Sequence, residues 1–458
     1  MKKFKSLILL LLLIPCFLLG GCSLLATEKY VVDISKSDTY GNITKYTITY
    51  SDGSTSFINV ENGEDGEDLT LEVIQAYCTQ QGITLEDYFN SLDIELNSVE
   101  KATNKALKSA VSIIAVSPYQ TGAQYYSRAG GAGVIYKMDE TSNESYIITN
   151  YHVVATNTTL SGIANEIKIF QYGADMTVSA KDKNSYTTSG GNYYYSGYNF
   201  SSSAVSATYV GGSNTFDIAV LKVETDDLLE VNPHACPVTV AEGYSIANTA
   251  IAIGNPNANG MSVTKGIVSV ESENLVLDNI SYRVMRIDTA VNPGNSGGGL
   301  FNDKGELIGI VNAKMESITI DNIAYAIPYD NAIKVADNII DNGCVKKLYL
   351  GITVGVENSH AVYNPETHTT TLHDEFVVSD LDVGGVGDVL GLEVNDRITS
   401  IVLDSKTYTI QRYFQVADLL LNVRAGSSIT FIGTRNGVEN VTLASSSNIL
   451  ENQLQTID

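Results

Sequence analysis

Apolar and polar residues alternate along most of the chain, which is the pattern of half-buried β-strands. Between Tyr30 and Val60 the alternation breaks at Gly41-Asn42 and at Asp52-Gly53, two dipeptides that favour tight turns. From the apolar run VSIIAV to about residue 330, strand-like runs separated by glycine turns dominate. The pattern therefore predicts short paired strands near the N-terminus and an all-β domain in the middle of a mainly β chain.

Helical periodicity interrupts this pattern in a few places. The segments LTLEVIQAYC and TLEDYFNSL, separated by Gly82, predict two short helices, and SVEKATNKALKSA predicts a third one before the all-β domain. Near the C-terminus four apolar residues recur at i, i+3, i+4 and i+7, the spacing of one helix face: Val416, Leu419, Leu420 and Val423.

These patterns divide the chain into parts, as expected for 458 residues at about 150 residues per domain. Residues 22–97 are predicted to form a tether and a small α+β module, 98–342 the all-β domain, 343–447 a further α+β unit, and 448–458 a tail of polar coil. Within the all-β domain, residues 184–205 are rich in Ser, Gly and Tyr and nearly free of aliphatic residues. That composition predicts a long surface loop.

Residues 1–21 have the layout of an export signal. Three lysines precede an apolar run from Leu7 to Leu19, which is short for a bilayer-spanning helix and suits a signal-peptide core. The segment Leu19-Gly20-Gly21-Cys22 resembles the lipobox of bacterial lipoproteins. This resemblance implies a lipid on the sulfur of Cys22 and a location on the outer face of the bacterial cytoplasmic membrane. An ordinary secretory signal followed by a coincidental cysteine is the alternative.

Charge and side-chain inventory exclude several classes of function. The chain has 28 basic and 52 acidic residues, a net charge of −24, so nucleic acid is not an expected partner. Apart from Cys16 in the signal and Cys22, the cysteines are Cys78, Cys236 and Cys344, an odd number without C-x-x-C spacing. The five histidines include no H-E-x-x-H motif. We therefore expect neither a metal nor a cofactor.

Three residues of the all-β domain are candidates for nucleophilic catalysis. Ser296 lies in VNPGNSGGGL, whose glycines allow a tight turn that leaves the hydroxyl uncrowded. His152 follows a strand-like run in IITNYHVV, and Asp217 precedes one in TFDIAVLKV. Amide hydrolysis requires a nucleophile, a base, a group that orients the base, and donors for the oxyanion. For the oxyanion we expect the N–H groups of Gly294 and Ser296.

The sequence GNSGG also matches the nucleophile elbow of α/β-hydrolases. That motif requires a helix after the serine and the chain order serine, acid, histidine. Here Ser296 is followed by LFNDKGELIGIV, a strand–turn–strand pattern, and the order is His152, Asp217, Ser296. The order is that of the chymotrypsin-like arrangement, which we therefore favour.

Residues 98–447 resemble an HtrA-family (DegP-like), trypsin-fold serine protease followed by a PDZ domain. The matching stretches occur in family order: GAGVIY, TNYHVV, FDIAVLKV, AIGNP, TKGIVSV, DTAVNPGNSGG, GELIGIV and YAIP. The resemblance implies a chymotrypsin-like fold of two six-stranded β-barrels with His152 as base, Asp217 as orienting carboxylate and Ser296 as nucleophile. It also implies ATP-independent cleavage of misfolded exported proteins and a possible homotrimer.

The unit at 343–447 resembles the PDZ domain of this family. The segment Tyr349-Leu350-Gly351-Ile352 matches the loop that holds a peptide C-terminus, while the peptide adds a strand beside Ile352–Val354. The helix that carries Val416 and Leu419 would form the other wall of the groove. From the residues alone, LYLGITV is only a strand that contains a glycine, and this alternative stays open.

Some positions depart from the family pattern. The spacing between His152 and Asp217 is longer than usual, and the tyrosine-rich stretch accounts for the excess. Gly299 stands where Pro or Ala is common, and Asn395 replaces a turn glycine, where Asn tolerates a left-handed backbone. The segment Ile310, Val311, Asn312 and Ala313 matches the wall of the family's specificity pocket and contains no acidic residue. A small aliphatic side chain is therefore expected before the scissile bond.

Three functional hypotheses follow. The first is a lipid-anchored extracytoplasmic endopeptidase that acts on unfolded or misfolded exported proteins. The second is a peptide-binding PDZ lipoprotein whose protease domain is latent or vestigial, and the third is a surface adhesin, suggested by the acidic, tyrosine-rich composition. The natural substrate and the role of residues 23–97 are left open by the sequence.

Overall fold

The structure is a computed structural model, which describes residues 31–40, 43–50, 55–61, 98–181, 186–187, 193–256, 260–277, 280–314, 323–365 and 369–457. The chain divides into two compact units, Met1–Lys101 and Ala102–Asp458. The signal segment, Cys22 and the two helices predicted between residues 69 and 93 lie outside the described residues. None of the described helices combines the length and the apolar character that crossing a bilayer requires.

The first unit contains the predicted paired strands. They are β1 (Val31–Tyr40), β2 (Ile43–Tyr50) and β3 (Thr55–Glu61), which form an antiparallel sheet in the order β1-β2-β3. Tyr40 faces Ile43 and Thr49 faces Thr55 across the two connections. The alternating pattern of this segment thus predicted its strands correctly.

The second unit begins with a closed six-stranded barrel. The predicted helix is α1 (Ser98–Ala106), and the elements that follow are β4 (Ala110–Pro118), β5 (Tyr126–Asp139), β6 (Glu144–Thr149), α2 (Tyr151–Val154), β7 (Glu166–Gln171), β8 (Val178–Ala180), β9 (Tyr186–Thr187), β10 (Tyr193–Tyr194), β11 (Tyr198–Phe200), β12 (Val205–Ser213), β13 (Ile218–Glu224) and α3 (Thr225–Val231). The barrel order is β12-β13-β6-β5-β4-β7. Inward-facing β-branched residues such as Ile113, Ile147 and Ile169 are fully buried in its core.

The prediction that the tyrosine-rich stretch is a surface loop was wrong for part of it. Strand β11 pairs with β8, and the ring of Tyr198 is only 7% exposed. This ring packs with Val116 and Phe170 on the outer face of the first barrel. Tyrosine supplies a large apolar ring as well as a hydroxyl, so a stretch nearly free of aliphatic residues still contributes to a small core.

A second closed barrel follows. Its strands are β14 (Thr249–Gly254), β15 (Ser262–Leu277), β16 (Ile280–Ile287), β17 (Gly299–Phe301), β18 (Leu307–Asn312) and β19 (Ala324–Pro328), in the order β14-β15-β16-β19-β18-β17. The long helix α4 (Tyr329–Asn342) leaves the barrel and ends at Gly343, which adopts the left-handed conformation of a helix C-cap with φ of 72°. Two six-stranded barrels are what the family resemblance implied.

The C-terminal module combines three small sheets and two short helices. Its elements are β20 (Val345–Leu348), β21 (Ile352–Asn364), β22 (Thr369–Leu381), α5 (Val386–Leu390), β23 (Arg397–Leu403), β24 (Lys406–Thr409), α6 (Phe414–Leu419), β25 (Ile429–Arg435), β26 (Val438–Ser446) and β27 (Leu454–Ile457). The predicted amphipathic helix is α6 extended by a 3₁₀ turn, Leu420–Asn422. Asn395 adopts the left-handed conformation expected of it, with φ of 76°.

The end of the chain differs from the predicted polar coil. Strand β27 pairs antiparallel with β20, so that Val345 faces Ile457 and Leu348 faces Leu454. Ile449, just before this strand, is 1% exposed. The prediction of a coil at 448–458 was therefore wrong for Leu454–Ile457, because the pairing partner lies about a hundred residues earlier and leaves no local signal.

Candidate active site

His152 and Asp217 lie together in the first barrel. His152 is in the single turn α2 directly after β6, and Asp217 comes directly before β13, the neighbour of β6. The Nδ1 atom of His152 is 2.7 Å from Oδ2 of Asp217, and the backbone N–H of His152 donates to Oδ1 over 3.0 Å. Because an ionised carboxylate only accepts, Nδ1 carries the proton and Nε2 is left as the free acceptor.

Asp217 is held in place from several sides. It is 1% exposed and adopts φ of 50°, a left-handed conformation that Asp tolerates better than most residues. The Nδ2 group of Asn312, at the end of β18 in the second barrel, donates to Oδ2 of Asp217 over 2.7 Å. The Nδ2 group of Asn150 donates to the backbone carbonyl of Asp217 over 2.8 Å. Both barrels therefore contribute to fixing this carboxylate.

The serine loop lies between β16 and β17 of the second barrel. The N–H of Asn295 donates to the carbonyl of Asn292 over 2.9 Å and closes a turn with Pro293 and Gly294 at its two central positions. Gly294 has φ of 103°, which glycine adopts at little cost at the second central position of such a turn. In the described part of the structure, the N–H groups of Gly294 and Ser296 donate to no other group.

Two glycines after the serine let the loop pass between the barrels. An added Cβ at Gly297, where φ is 82°, would lie 2.2 Å from Oγ1 of Thr149. A Cβ at Gly298 would lie 2.2 Å from the carbonyl oxygen of Ile253. Both distances are shorter than real contacts, so only glycine fits. A Cβ added at Gly299, where the family commonly has Pro or Ala, would lie 2.4 Å from the ring of Phe301.

The hydroxyl of Ser296 points to the second barrel. It accepts a hydrogen bond from the N–H of Ala313 over 3.1 Å, and among the described residues no hydrogen bond joins it to His152. The backbone of the loop is nevertheless tied to the first barrel, because the N–H of Ala132 donates to the carbonyl of Ser296 over 2.8 Å. Ser296 is 5% exposed. Hydrogen bonds between catalytic groups are often long or absent without substrate.

The four residues predicted as a pocket wall have different environments. Ile310 and Val311 are fully buried, and Val311 belongs to the core of the second barrel. Asn312 directs its amide to Asp217, and Ala313 offers its N–H to Ser296. The supporting role of Asn312 was missed in the sequence because the two residues are far apart in the chain. The pocket-wall role of the four residues stays a prediction.

A cavity of ≈ 750 Å³ lies between the C-terminal module and the second barrel. Five of the six residues predicted for peptide binding line it: Tyr349, Leu350, Gly351, Ile352 and Val416. The sixth, Leu419, is absent from this lining and packs in the core of the module, to which Leu350 and Val416 also belong. Its role in peptide binding stays a prediction.

Charged groups that the sequence did not reveal lie at one side of this cavity. The guanidinium of Arg283 in β16 pairs with Asp418 in α6 and lies 3.0 Å from a carboxylate oxygen of Asp330. Asn331 donates to Asp418 over 2.9 Å. Burial raises the pKa of Asp418, with the positive charge of Arg283 acting in the opposite direction. Burial also disfavours the charged form of the neighbouring Lys347, which lowers the pKa of this amine.

Comparison with known proteins agrees with this geometry. Residues 131–310 match the family described as trypsin-like peptidase domain. The chain is 30% identical over 285 residues, 62% of its length, to a probable periplasmic serine endoprotease DegP-like of Hahella chejuensis, of which the match covers 50%. It is 26% identical over 353 residues to the serine endoprotease DegS of Salmonella typhimurium, covering 76% of this protein and 85% of that one.

Among solved structures, the HtrA-type protease AlgW with tripeptide is 24% identical, covers 77% of this protein and 98% of that one, and gives a TM-score of 0.47. The chain spans about half the length of the DegP-like relatives that it matches. The matched peptidase region contains His152, Asp217 and Ser296. The chain therefore contains a trypsin-like peptidase domain and is similar to HtrA-type serine endoproteases.

Proposed function

We propose that the protein is a membrane-anchored, extracytoplasmic serine endopeptidase that cleaves unfolded or misfolded exported proteins. The observation that carries the proposal is the hydrogen-bonded pair of the buried Asp217 and the partly buried His152. It lies beside a glycine-rich serine loop, two of whose N–H groups donate to no described residue. Curated relatives named as periplasmic serine endoproteases support the reaction and the compartment. The lipid on Cys22 is proposed from the sequence alone.

In the proposed mechanism, Ser296 rotates from the N–H of Ala313 towards Nε2 of His152. Its oxygen forms a bond to the scissile carbonyl carbon while its proton passes to Nε2. Asp217 holds the imidazole in the tautomer that this transfer needs and stabilises the imidazolium. The N–H groups of Gly294 and Ser296 bind the oxyanion. The carbon–nitrogen bond then breaks, His152 protonates the amine, and water releases the acyl group by the same steps.

The C-terminal module is proposed to act as a PDZ domain that binds the C-termini of peptides. Gly351 has φ of 68°, and its carbonyl accepts the N–H of Asp382 over 2.8 Å, so the loop is rigidly shaped. Among the described strands, β21 pairs with β22 alone, which leaves an edge for an added peptide strand. A homotrimer and attachment through Cys22 complete the proposal, and both are open to direct measurement.

Cleavage of an unfolded protein tests the proposed function. Purified protein lacking the signal is expected to degrade reduced, unfolded casein without ATP, and the Ser296→Ala variant is expected to leave casein intact. The Cys22→Ala variant serves as the control for the anchor, since it should retain proteolysis but leave the membrane fraction. Casein cleavage that persists in Ser296→Ala would contradict the assignment of the nucleophile.

A second function is favoured by one specific observation: the Ser296 hydroxyl accepts a hydrogen bond from the N–H of Ala313, and none joins it to His152 among the described residues. A peptide-binding lipoprotein with a latent protease domain would keep this arrangement. It predicts binding of C-terminal peptides with no casein cleavage in their presence or absence. Cleavage that requires or increases with such peptides would favour the endopeptidase.

A further inference from the structure

The tyrosine-rich insertion is attached to the beginning of β5, a strand that contacts the serine loop through Ala132. Tyr126 and Tyr195 exchange backbone hydrogen bonds of 2.7 and 3.3 Å. Further along the same strand, Ala132 donates its N–H to the carbonyl of Ser296. One strand therefore connects the insertion with the nucleophile.

A cleft of ≈ 490 Å³ lies where the insertion meets β5. Six of the residues that line it are Arg128, Val178, Ala180 and three tyrosines, Tyr194, Tyr195 and Tyr198. The guanidinium of Arg128 is exposed and lies 5.9 Å from the centre of the Tyr198 ring. Among the residues that the structure describes, no carboxylate is within ion-pair distance of it.

Arg128 occupies the face of β5 that also meets the serine loop. Side chains alternate along a strand, so Arg128 shares a face with Ala132. The Cβ of Ala132 would be 3.2 Å from a Cβ added at Gly298, two residues after the nucleophile. The four residue steps from 128 to 132 span about 13 Å, which is also the length of about four residues of an extended substrate. A substrate bound at Ser296 can therefore place a side chain in the cleft.

The chemistry of the cleft selects the kind of side chain. A guanidinium without a carboxylate partner binds Asp or Glu through charge-assisted hydrogen bonds. The tyrosine rings offer apolar faces to the neighbouring part of the peptide and hydroxyls to its polar groups. The protein as a whole carries a charge of −24, so acidic substrates would otherwise be repelled. A local positive group offsets that repulsion at this point.

We propose that this cleft is a substrate subsite in which Arg128 recognises an acidic side chain about four residues from the scissile bond. The inference rests on the proposed endopeptidase function and extends it to a substrate class, unfolded segments that carry Asp or Glu close to the cut. It gives the insertion a role in choosing cleavage sites.

Pairs of quenched fluorescent peptides that differ only in Asp or Asn test this subsite. The variable residue is placed three to five residues from the scissile bond on each side. For the wild-type protein we expect kcat/KM to be roughly fivefold higher for the Asp peptide than for the Asn peptide at one of these positions. This ratio should fall at high salt, because salt screens the charge of Arg128. Arg128→Gln should abolish the preference by lowering kcat/KM for the Asp peptide to the value for the Asn peptide. Arg397→Gln, an exposed arginine of the C-terminal module that pairs with Glu357, is the matched control.

Binding measured without turnover separates this inference from the proposed function. Fluorescence anisotropy with Ser296→Ala should show the same preference for the Asp peptide, lost in the Ser296→Ala, Arg128→Gln double variant. Cleavage without any preference at the tested positions, or an equal loss for both peptides in Arg128→Gln, would overturn the subsite. Preferential binding without cleavage in wild type would support the cleft and contradict the endopeptidase.

Discussion

Replacement of Asn312 by leucine tests how the second barrel supports the catalytic carboxylate. Leucine is close to asparagine in size but lacks the amide group that donates to Oδ2 of Asp217 over 2.7 Å. Both residues are 1% exposed, so water cannot easily replace the lost donor. A hydrogen bond to a charged group is worth about 1.5–3 kcal/mol. If that amount is lost from the transition state, kcat/KM falls roughly 10- to 150-fold.

The assay compares kcat/KM on one quenched peptide with the thermal midpoint of each variant. Asn338→Leu is the control, because Asn338 is also fully buried and donates to the carbonyls of Lys346 and Leu421 far from Ser296. It should lose stability and keep kcat/KM, whereas Asn312→Leu should lose both. Asn312→Ser retains a donor and should recover part of the rate. A wild-type kcat/KM in Asn312→Leu would refute the reasoning.

Four further predictions concern the serine loop, the Arg283–Asp418 pair and the anchor. Gly297→Ala should abolish turnover and lower the urea midpoint, because the added Cβ would lie 2.2 Å from the hydroxyl of Thr149. Gly122→Ala is the control: Gly122 has a similar φ and nothing within 4 Å of an added Cβ, so this variant should lose only about 1–2 kcal/mol of unfolding free energy. Arg283→Met should destabilise the fold by about 3–5 kcal/mol in urea unfolding, since it leaves the buried carboxylate of Asp418 unpaired. Burial raises the pKa of Asp418, so its contribution to stability is complete below the unfolded pKa of about 3.9 and is lost as the pH rises through the raised pKa. The stability of Asp418→Asn should therefore rise relative to that of the wild type as the pH increases above about 4, and a constant difference in the urea midpoints would contradict this. Cys22→Ala should move the protein from the membrane fraction to the soluble extracytoplasmic fraction, and unchanged sedimentation would contradict the lipid anchor.

The short-range features of the fold could be predicted from the sequence. Alternation gave the strands β1 to β3, and the i, i+3, i+4 and i+7 spacing gave the helix face that contains Val416 and Val423, both buried. The family resemblance of the segments around His152, Asp217 and Ser296 implied the two-barrel fold. These signals succeed because periodicity and turn residues act within a few positions of each other.

Contacts between distant segments could not be predicted in the same way. The amide of Asn312 reaches Asp217 across the two barrels, and β27 pairs with a strand about a hundred residues earlier. Tyr198 is buried although its segment lacks aliphatic residues. Each of these features depends on which segments meet in three dimensions, and one sequence without pairing information carries no record of that.

Reaction with a fluorophosphonate probe tests the central claim most directly, because the probe reacts only with a serine that its base activates. The labelled site would be identified by mass spectrometry of the digested protein. We expect the label on Ser296, its absence in Ser296→Ala and a strong reduction in His152→Ala. Labelling at a different residue, or no labelling of the wild-type protein with unfolded casein and a C-terminal peptide both present, would contradict an assembled catalytic triad.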